Sequence, residues 1–260
     1  MEGGQITLQF ALELANRLDV LWTLLLLIVR FSALMMVLPG IGAGERGMIV
    51  RGPAIVVLSL ACLTAQRFAP VPADWGVLIL SVVSEICVGF LLGVVPFLIV
   101  AGVQMGAQIA STTMGLGVGN LLDPTLGVIT TDLSRILGDL SVVIFLMVGG
   151  HRAIIYAASG LNDSLPIGQF LLTEDMVGSL VDHAANIFRI GITVSAPVMV
   201  ALLLTNFVMA LVSRSVPTVN IFIVSFPLTI GIGLILTMLS LPDFMHVMSA
   251  LFTQTEPIIQ

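Results

Sequence analysis

Two ionisable residues sit in stretches that are otherwise apolar. Arg30 falls near the middle of the apolar run 20–38, and Glu85 lies well inside the run 76–101. A central arginine costs about 2.5–3.5 kcal/mol on membrane-insertion scales, so each residue must face a partner, a cavity or another subunit. Two chemistries are open to them. One is a mutual ion pair or intersubunit bridge that fixes packing, and the other is a proton or ion relay. Around Glu85 the spacing adds information, because Ser81, Glu85, Gly89 and Gly93 recur every four residues and share one ridge of a helix. Small residues on such a ridge let a second backbone approach closely, so it reads as a packing surface, with an ion path as the alternative. The pair Gly102 and Gly106 repeats the small-xxx-small pattern.

The next candidate is compositional. Residues 101–124, AGVQMGAQIASTTMGLGVGNLLDP, hold five glycines and two methionines directly after a long apolar helix. Glycine widens the accessible backbone range and methionine adapts its shape to what it touches, so this stretch suits a deformable seal. Gln104, Gln108, Ser111, Thr112, Thr113 and Asn120 add neutral polar groups that wet a passage without selecting one charge. A plug-like loop over 104–120 is one expectation, and an ordinary hydrophilic connection is the other. Its gate residues would be Gln104, Met105, Gly106, Gln108, Met114, Gly115, Leu116, Gly117, Gly119 and Asn120.

Other chemistries find little support. GLGVG at 115–119 fails as a dinucleotide fingerprint, because the third glycine would fall at Asn120 and no strand precedes it. No phosphate loop is possible without lysine. His151, His183 and His246 are far apart, and neither Cys62 nor Cys87 has metal-ligand spacing. Asp123, Asp132 and Asp139 read as loop and helix-start residues, with Asp132 to Arg135 framing the start of a helix. We therefore expect no enzyme activity, no cofactor and no metal.

The elements that must position these residues follow from composition. Charged residues make up 9% of the 260-residue chain, apolar residues 58%, and mean hydropathy is +1.15. So few charges cannot wet a soluble surface, which excludes a soluble globular enzyme and predicts an all-α membrane protein. Net charge is −6, and all nine cations are arginines without a cluster, so nucleic-acid binding is not expected. The first 18 residues carry Glu2, Glu13 and Arg17 in an amphipathic rhythm and do not read as a secretory signal.

Four runs, 20–38, 76–101, 190–213 and 220–241, approach the ~20 residues needed to cross the hydrocarbon. Two others, 52–65 and 136–149, are half-length. Pro197, Asn206 and Pro227 interrupt the last two long runs, and 214–219 reads as a tight hairpin. Broken helices at membrane depth need protein or a water-filled cavity around them, which points to a subunit of a larger pore or gate. No internal repeat is evident, which counts against the inverted-repeat architecture of many secondary transporters, and the chain reads as a single domain over 1–260. Arg46 and Arg51 after the first run favour a cytoplasmic loop there.

Several ordered strings resemble the FliR family, the inner-membrane export-gate component of flagellar type III secretion. They begin with RFSALMMVLPGIG at 30–42, followed by Arg51 and Pro53, then Glu85 with Gly89, and the glycine-rich stretch closing in Asp123 and Pro124. Gly149, Gly150 and His151 then form a GGH signature, followed by SLPIG at 164–168, Ala196 and Pro197, Asn206, Arg214, Pro217 and Asn220. After Pro217 this chain has Thr218, where the family usually has glutamine or a similar polar residue. GGH favours the flagellar branch over the virulence injectisome.

The resemblance implies a non-enzymatic subunit that assembles with FliP and FliQ and works beside FlhB. Together they would form a conduit for unfolded flagellar substrates in the bacterial inner membrane, at the flagellar basal body. It implies a tapered helical assembly in which half-length helices do not all cross lipid. It also implies that the glycine-rich stretch is a plug, and that Arg30, Glu85, Gly89, Gly93 and Arg214 are assembly or buried-charge positions. A transporter using Glu85 and Arg30 is the competing expectation from another class.

Overall fold

The computed structural model describes residues 2–40, 47–64, 68–116, 131–161, 165–168, 174–215 and 221–254. All regular structure among them is helical. In chain order the helices are α1 (Glu2–Val37), α2 (Gly47–Leu63), α3 (Trp75–Met114), α4 (Asp132–Val148), α5 (Gly150–Ala158), α6 (Glu174–Ser215), α7 (Ile221–Leu239) and α8 (Leu241–Gln254). Helices α1, α3 and α6 outrun the apolar runs that mark them, because hydropathy detects only the part suited to lipid while the hydrogen-bond ladder continues through polar flanks. Thus α3 extends 13 residues past Ala101 to Met114, and α6 begins at Glu174, well before the apolar run at 190.

Among the described residues, three helices are long and apolar enough to cross a membrane, at Arg17–Val37, Trp75–Met114 and Ala184–Ser215. Two broken pairs bring the total to five if each is one span. The fourth apolar run, 220–241, carries α7 as the first half of one of these bent pairs. Its helix stops at Leu239, Ser240 accepts the Phe244 N–H at 2.9 Å, and α8 leaves at 51°. Pro53, Pro96, Pro197 and Pro227 all lie inside helices. Each removes one i→i−4 hydrogen bond, a defect that buried neighbours or side-chain hydroxyls offset in a membrane helix.

Where the sequence reads as one domain, the chain forms two compact units. The first comprises residues 1–97, 149–180 and 254–260, and the second 98–148 and 181–253. No change of composition marks these borders because α3 and α6 run uninterrupted through them. The first unit buries Leu26, Leu27, Phe31, Leu34, Val88 and Ile154. The second buries Val103, Ala107, Met114, Leu137, Phe145, Leu202 and Met248, with the Phe145 and Phe252 rings 5.1 Å apart. Large apolar side chains also line the outside, including Leu203 at 75% and Phe207 at 62% exposure on α6. Water would not tolerate so much apolar surface. Lipid or protein must cover it.

Candidate functional site

In the first unit, the ridge Ser81, Glu85, Gly89 and Gly93 of α3 is buried along its whole length. A side chain at Gly89 would run into the Arg30 carbonyl, and one at Gly93 would stand 3.0 Å from the Leu34 carbonyl. Both steps are four residues and run in the same order, so α1 and α3 travel in the same direction along this seam. Glycine is required here because the approach is backbone to backbone.

That approach places Arg30 beside Glu85. Both side chains are fully buried, and Arg30 Nε donates to Glu85 Oε2. The rest of the guanidinium is satisfied by backbone: Nη1 donates to Leu165 O at 3.0 Å and Ala158 O at 3.4 Å, and Nη2 to Pro166 O at 3.4 Å. The second carboxylate oxygen accepts the Gly168 N–H at 2.7 Å. Gly168 sits at φ +75, a conformation that suits a residue without Cβ. The pair thus holds residues 165–168, Arg30 by the Leu165 and Pro166 carbonyls and Glu85 by the Gly168 N–H. A buried ion pair of this kind survives desolvation because the remaining donors and acceptors are also paired. Gly160, at φ +71 just past α5, leaves room for Ile167 and for Arg30 Nη1.

A second clasp holds the approach to α3. Asp19 Oδ1 accepts the Val71 N–H at 2.9 Å, and Thr23 Oγ1 accepts the Ala69 N–H at 2.9 Å. The sequence reading missed these two residues, whose only signal is their polarity one turn apart near the start of an apolar run.

The second unit contains the described part of the glycine-rich stretch, and here the expected loop is helix. Gln104, Met105, Gly106, Gln108 and Met114 all belong to α3. Two glycines in a helix cost about 1 kcal/mol each, which tertiary packing recovers. Gly106 lies against Gly191 of α6, so any side chain at Gly106 would strike the Gly191 carbonyl, and a side chain at Gly191 would lie 3.3 Å from the Gly102 carbonyl.

The helix then ends in a Schellman motif. The Leu116 N–H reaches Ser111 O and the Gly115 N–H reaches Thr112 O, both at 3.1 Å, with Gly115 at φ +92. Gly117, Gly119 and Asn120 lie outside the described residues, as do 216–220 of the expected hairpin.

Polar contacts tie this helix end to its surroundings. Gln108 Oε1 accepts both the Thr131 N–H at 2.9 Å and the Thr131 hydroxyl at 3.0 Å. Thr131 directly precedes α4, whose first residue is Asp132. The Gln104 side chain fills the space beside Gly138 of α4. On the other side, Thr229 Oγ1 of α7 contacts Met114 O at 3.0 Å, and Gly233 leaves room for the Met114 thioether. Beside α3 and α6 lies a cavity of about 250 Å³ lined by Ala107, Ala110, Leu137, Pro197, Asp243 and Phe244.

Not every expected site residue is part of these clusters. Arg214 is exposed in the last turn of α6 and is not a buried charge in this chain; a cation there complements the C-terminal helix dipole. No group of three or more His, Cys, Asp or Glu is gathered among the described residues. His151 Nδ1 is buried without a hydrogen-bond partner there.

The chain matches the family model described as bacterial export proteins, family 1, over residues 21–255. It is 28% identical over 228 residues to the flagellar biosynthetic protein FliR of Aquifex aeolicus, covering 86% of this chain and 87% of that protein. It is 29% identical to the FliR of Escherichia coli K12, over 80% and 83% of the two chains. It is also 26% identical to the Yop proteins translocation protein T of Yersinia pestis, over 92% and 93%. The match takes in both units, the buried Arg30–Glu85 pair and the glycine-rich stretch, and the chain belongs to the bacterial export proteins, family 1, the FliR family.

Proposed function

We propose that this membrane protein is a non-enzymatic subunit of the flagellar type III protein export gate. It forms a conduit with FliP and FliQ, beside FlhB, through which unfolded flagellar proteins leave. Its place is the bacterial inner membrane, at the flagellar basal body. The observation that carries this reading is the family match over residues 21–255 together with FliR relatives covered over most of their length. The broken helices and the exposed apolar faces support it, since both call for neighbouring protein at membrane depth.

In this reading the stretch from Gln104 to Asn120 closes the conduit at rest. Its stem is the helical end of α3, carrying Gln104, Met105, Gly106, Gln108 and Met114, and the closing part follows from Gly115 and Leu116 through Gly117, Gly119 and Asn120. Neutral polar groups and methionines seal against ions without gripping a passing chain, because neither offers a strong, directional site to an unfolded segment. Arg30, Glu85, Gly89 and Gly93 hold the first unit together for assembly. An ion relay at Arg30 and Glu85 is disfavoured by their hydrogen bonds to Ala158, Leu165, Pro166 and Gly168, which hold both groups in place.

The test is removal of residues 117–122, with co-purification of FliP and FliQ, ion leakage and flagellar export measured together. A complex that still forms but leaks is the expected result. A complex that forms, stays sealed and exports normally would reduce this stretch to a connection. Failure of the intact chain to co-purify with FliP and FliQ would remove the gate reading itself. A second reading, the corresponding subunit of a virulence injectisome, is favoured by the likeness to Yop proteins translocation protein T. Complementation separates the two: rescue of motility in cells lacking FliR supports the flagellar branch, and rescue of effector secretion alone supports the other.

A further inference from the structure

Met114 is the last residue of α3 and is fully buried, yet its carbonyl is among the final four of the helix and has no donor within it. The partner comes from α7, where the buried Thr229 hydroxyl lies 3.0 Å from Met114 O. The same hydroxyl lies 3.0 Å from Ser225 O and 3.2 Å from Phe226 O in its own helix. One hydroxyl carries one proton, so these three acceptors compete for it. Turning the O–H about the Cβ–Oγ1 bond exchanges a bond that ties α7 to α3 for one that stays inside α7.

Two further positions on the same face of α7 fit the α3 terminus. A Cβ at Gly233 would stand 2.5 Å from Met114 Cγ and 2.7 Å from its sulfur, so only glycine leaves the thioether its place. A Cβ at Gly115 would stand 2.8 Å from the Phe226 ring, which rests against the turn that ends α3. Phe226, Thr229 and Gly233 recur at three and four residues, the spacing of one helix face. Pro227 interrupts the α7 ladder between the first two.

We propose that Phe226, Thr229 and Gly233 form a seat that positions Met114 and Gly115, so that α7 sets where the chain leaves α3 and its withdrawal releases that end. The proposal rests on the gate reading given above and names the element that regulates it. The seat is neutral and holds by one exchangeable hydrogen bond and one thioether, so it yields without a buried charge being exposed.

The experiment uses the full chain in its membrane complex with FliP and FliQ. Thr229→Val keeps the shape and removes the proton. Gly233→Ala displaces the thioether, and Met114→Ala in the Gly233→Ala background removes the overlap. Complex yield, ion leakage and export are read for each, beside the variant lacking residues 117–122. The expected result is normal complex yield with leakage raised in both single variants, roughly 2- to 10-fold in Thr229→Val, the factor by which losing one ordinary hydrogen bond shifts a two-state equilibrium. Leakage in the double variant falls back below that of Gly233→Ala.

If the variant lacking 117–122 leaks while Thr229→Val and Gly233→Ala assemble and stay sealed, the gate reading stands and the seat is wrong. If none of the three leaks, the seat and the closing role of 104–120 both fall, and co-purification with FliP and FliQ alone decides the gate-subunit reading. If both single variants lose the complex, the seat is a packing contact without a positioning role, and the proposal is overturned.

Discussion

Gly89 and Gly93 bring α3 against the backbone of α1, and Gly106 brings the same helix against Gly191 of α6. The first seam is locked by a buried ion pair whose members bind four backbone groups of a distant stretch. Around the second, the polar links run through Gln108, Thr131 and Thr229, all neutral side chains. Close helix approach is thus the shared device, and what surrounds it decides how firmly each region is held. Breaking the charge cluster means leaving an ion unpaired, whereas breaking a neutral link means only exchanging one hydrogen bond for another. The first seam suits a permanent joint and the second a movable one.

The largest expected effect tests the permanent joint. Glu85→Ala leaves Arg30 buried without its counter-charge and should destabilise the first unit by about 3–5 kcal/mol, read as loss of the chain from membranes or of protease resistance. A loss under about 1 kcal/mol would mean that the carbonyls alone suffice.

Next come Gly89→Ala and Gly106→Ala, each forcing a methyl into a backbone carbonyl at about 1–3 kcal/mol. Thermal unfolding of the detergent-solubilised complex should rank them close together. A harmless Gly106→Ala would show that the second seam already yields.

Gln108→Leu removes one acceptor from two Thr131 donors and should cost about 1 kcal/mol, with faster hydrogen exchange at the start of α4 as its local signature. The smallest effect belongs to Arg214→Ala, expected within about 0.5 kcal/mol because the side chain is exposed at a helix end.

Much of this arrangement can be read from residue types. Arg30 and Glu85 stand out because charge is expensive in apolar runs, and the four-residue glycine ridge points at a neighbouring backbone. The partners are harder to find. Ala158, Leu165 and Pro166 contribute only carbonyls, which every residue carries, so nothing in their side chains announces the contact. The stretch after Ala101 reads as a loop because glycine and threonine are poor helix formers, but burial of Gly102 and Gly106 against α6 outweighs that preference as far as Met114. Thr229 and Gly233 were invisible for a different reason. Their helix was expected, but which face meets the end of α3 depends on long-range packing.

The clasp around Arg30 also imposes an order on the chain's synthesis. Glu85 lies 55 residues beyond Arg30 and Leu165 lies 135 beyond it. At about 5–20 residues per second, roughly 3–11 s separate the making of the arginine from that of its counter-ion, and roughly 7–27 s separate it from the Leu165 carbonyl. During the first interval α1 enters or waits at the bilayer carrying a cation with none of its partners yet made. The first unit becomes self-sufficient only after SLPIG emerges, so insertion of the earliest helix and maturation of the latest contact are tied to a single side chain.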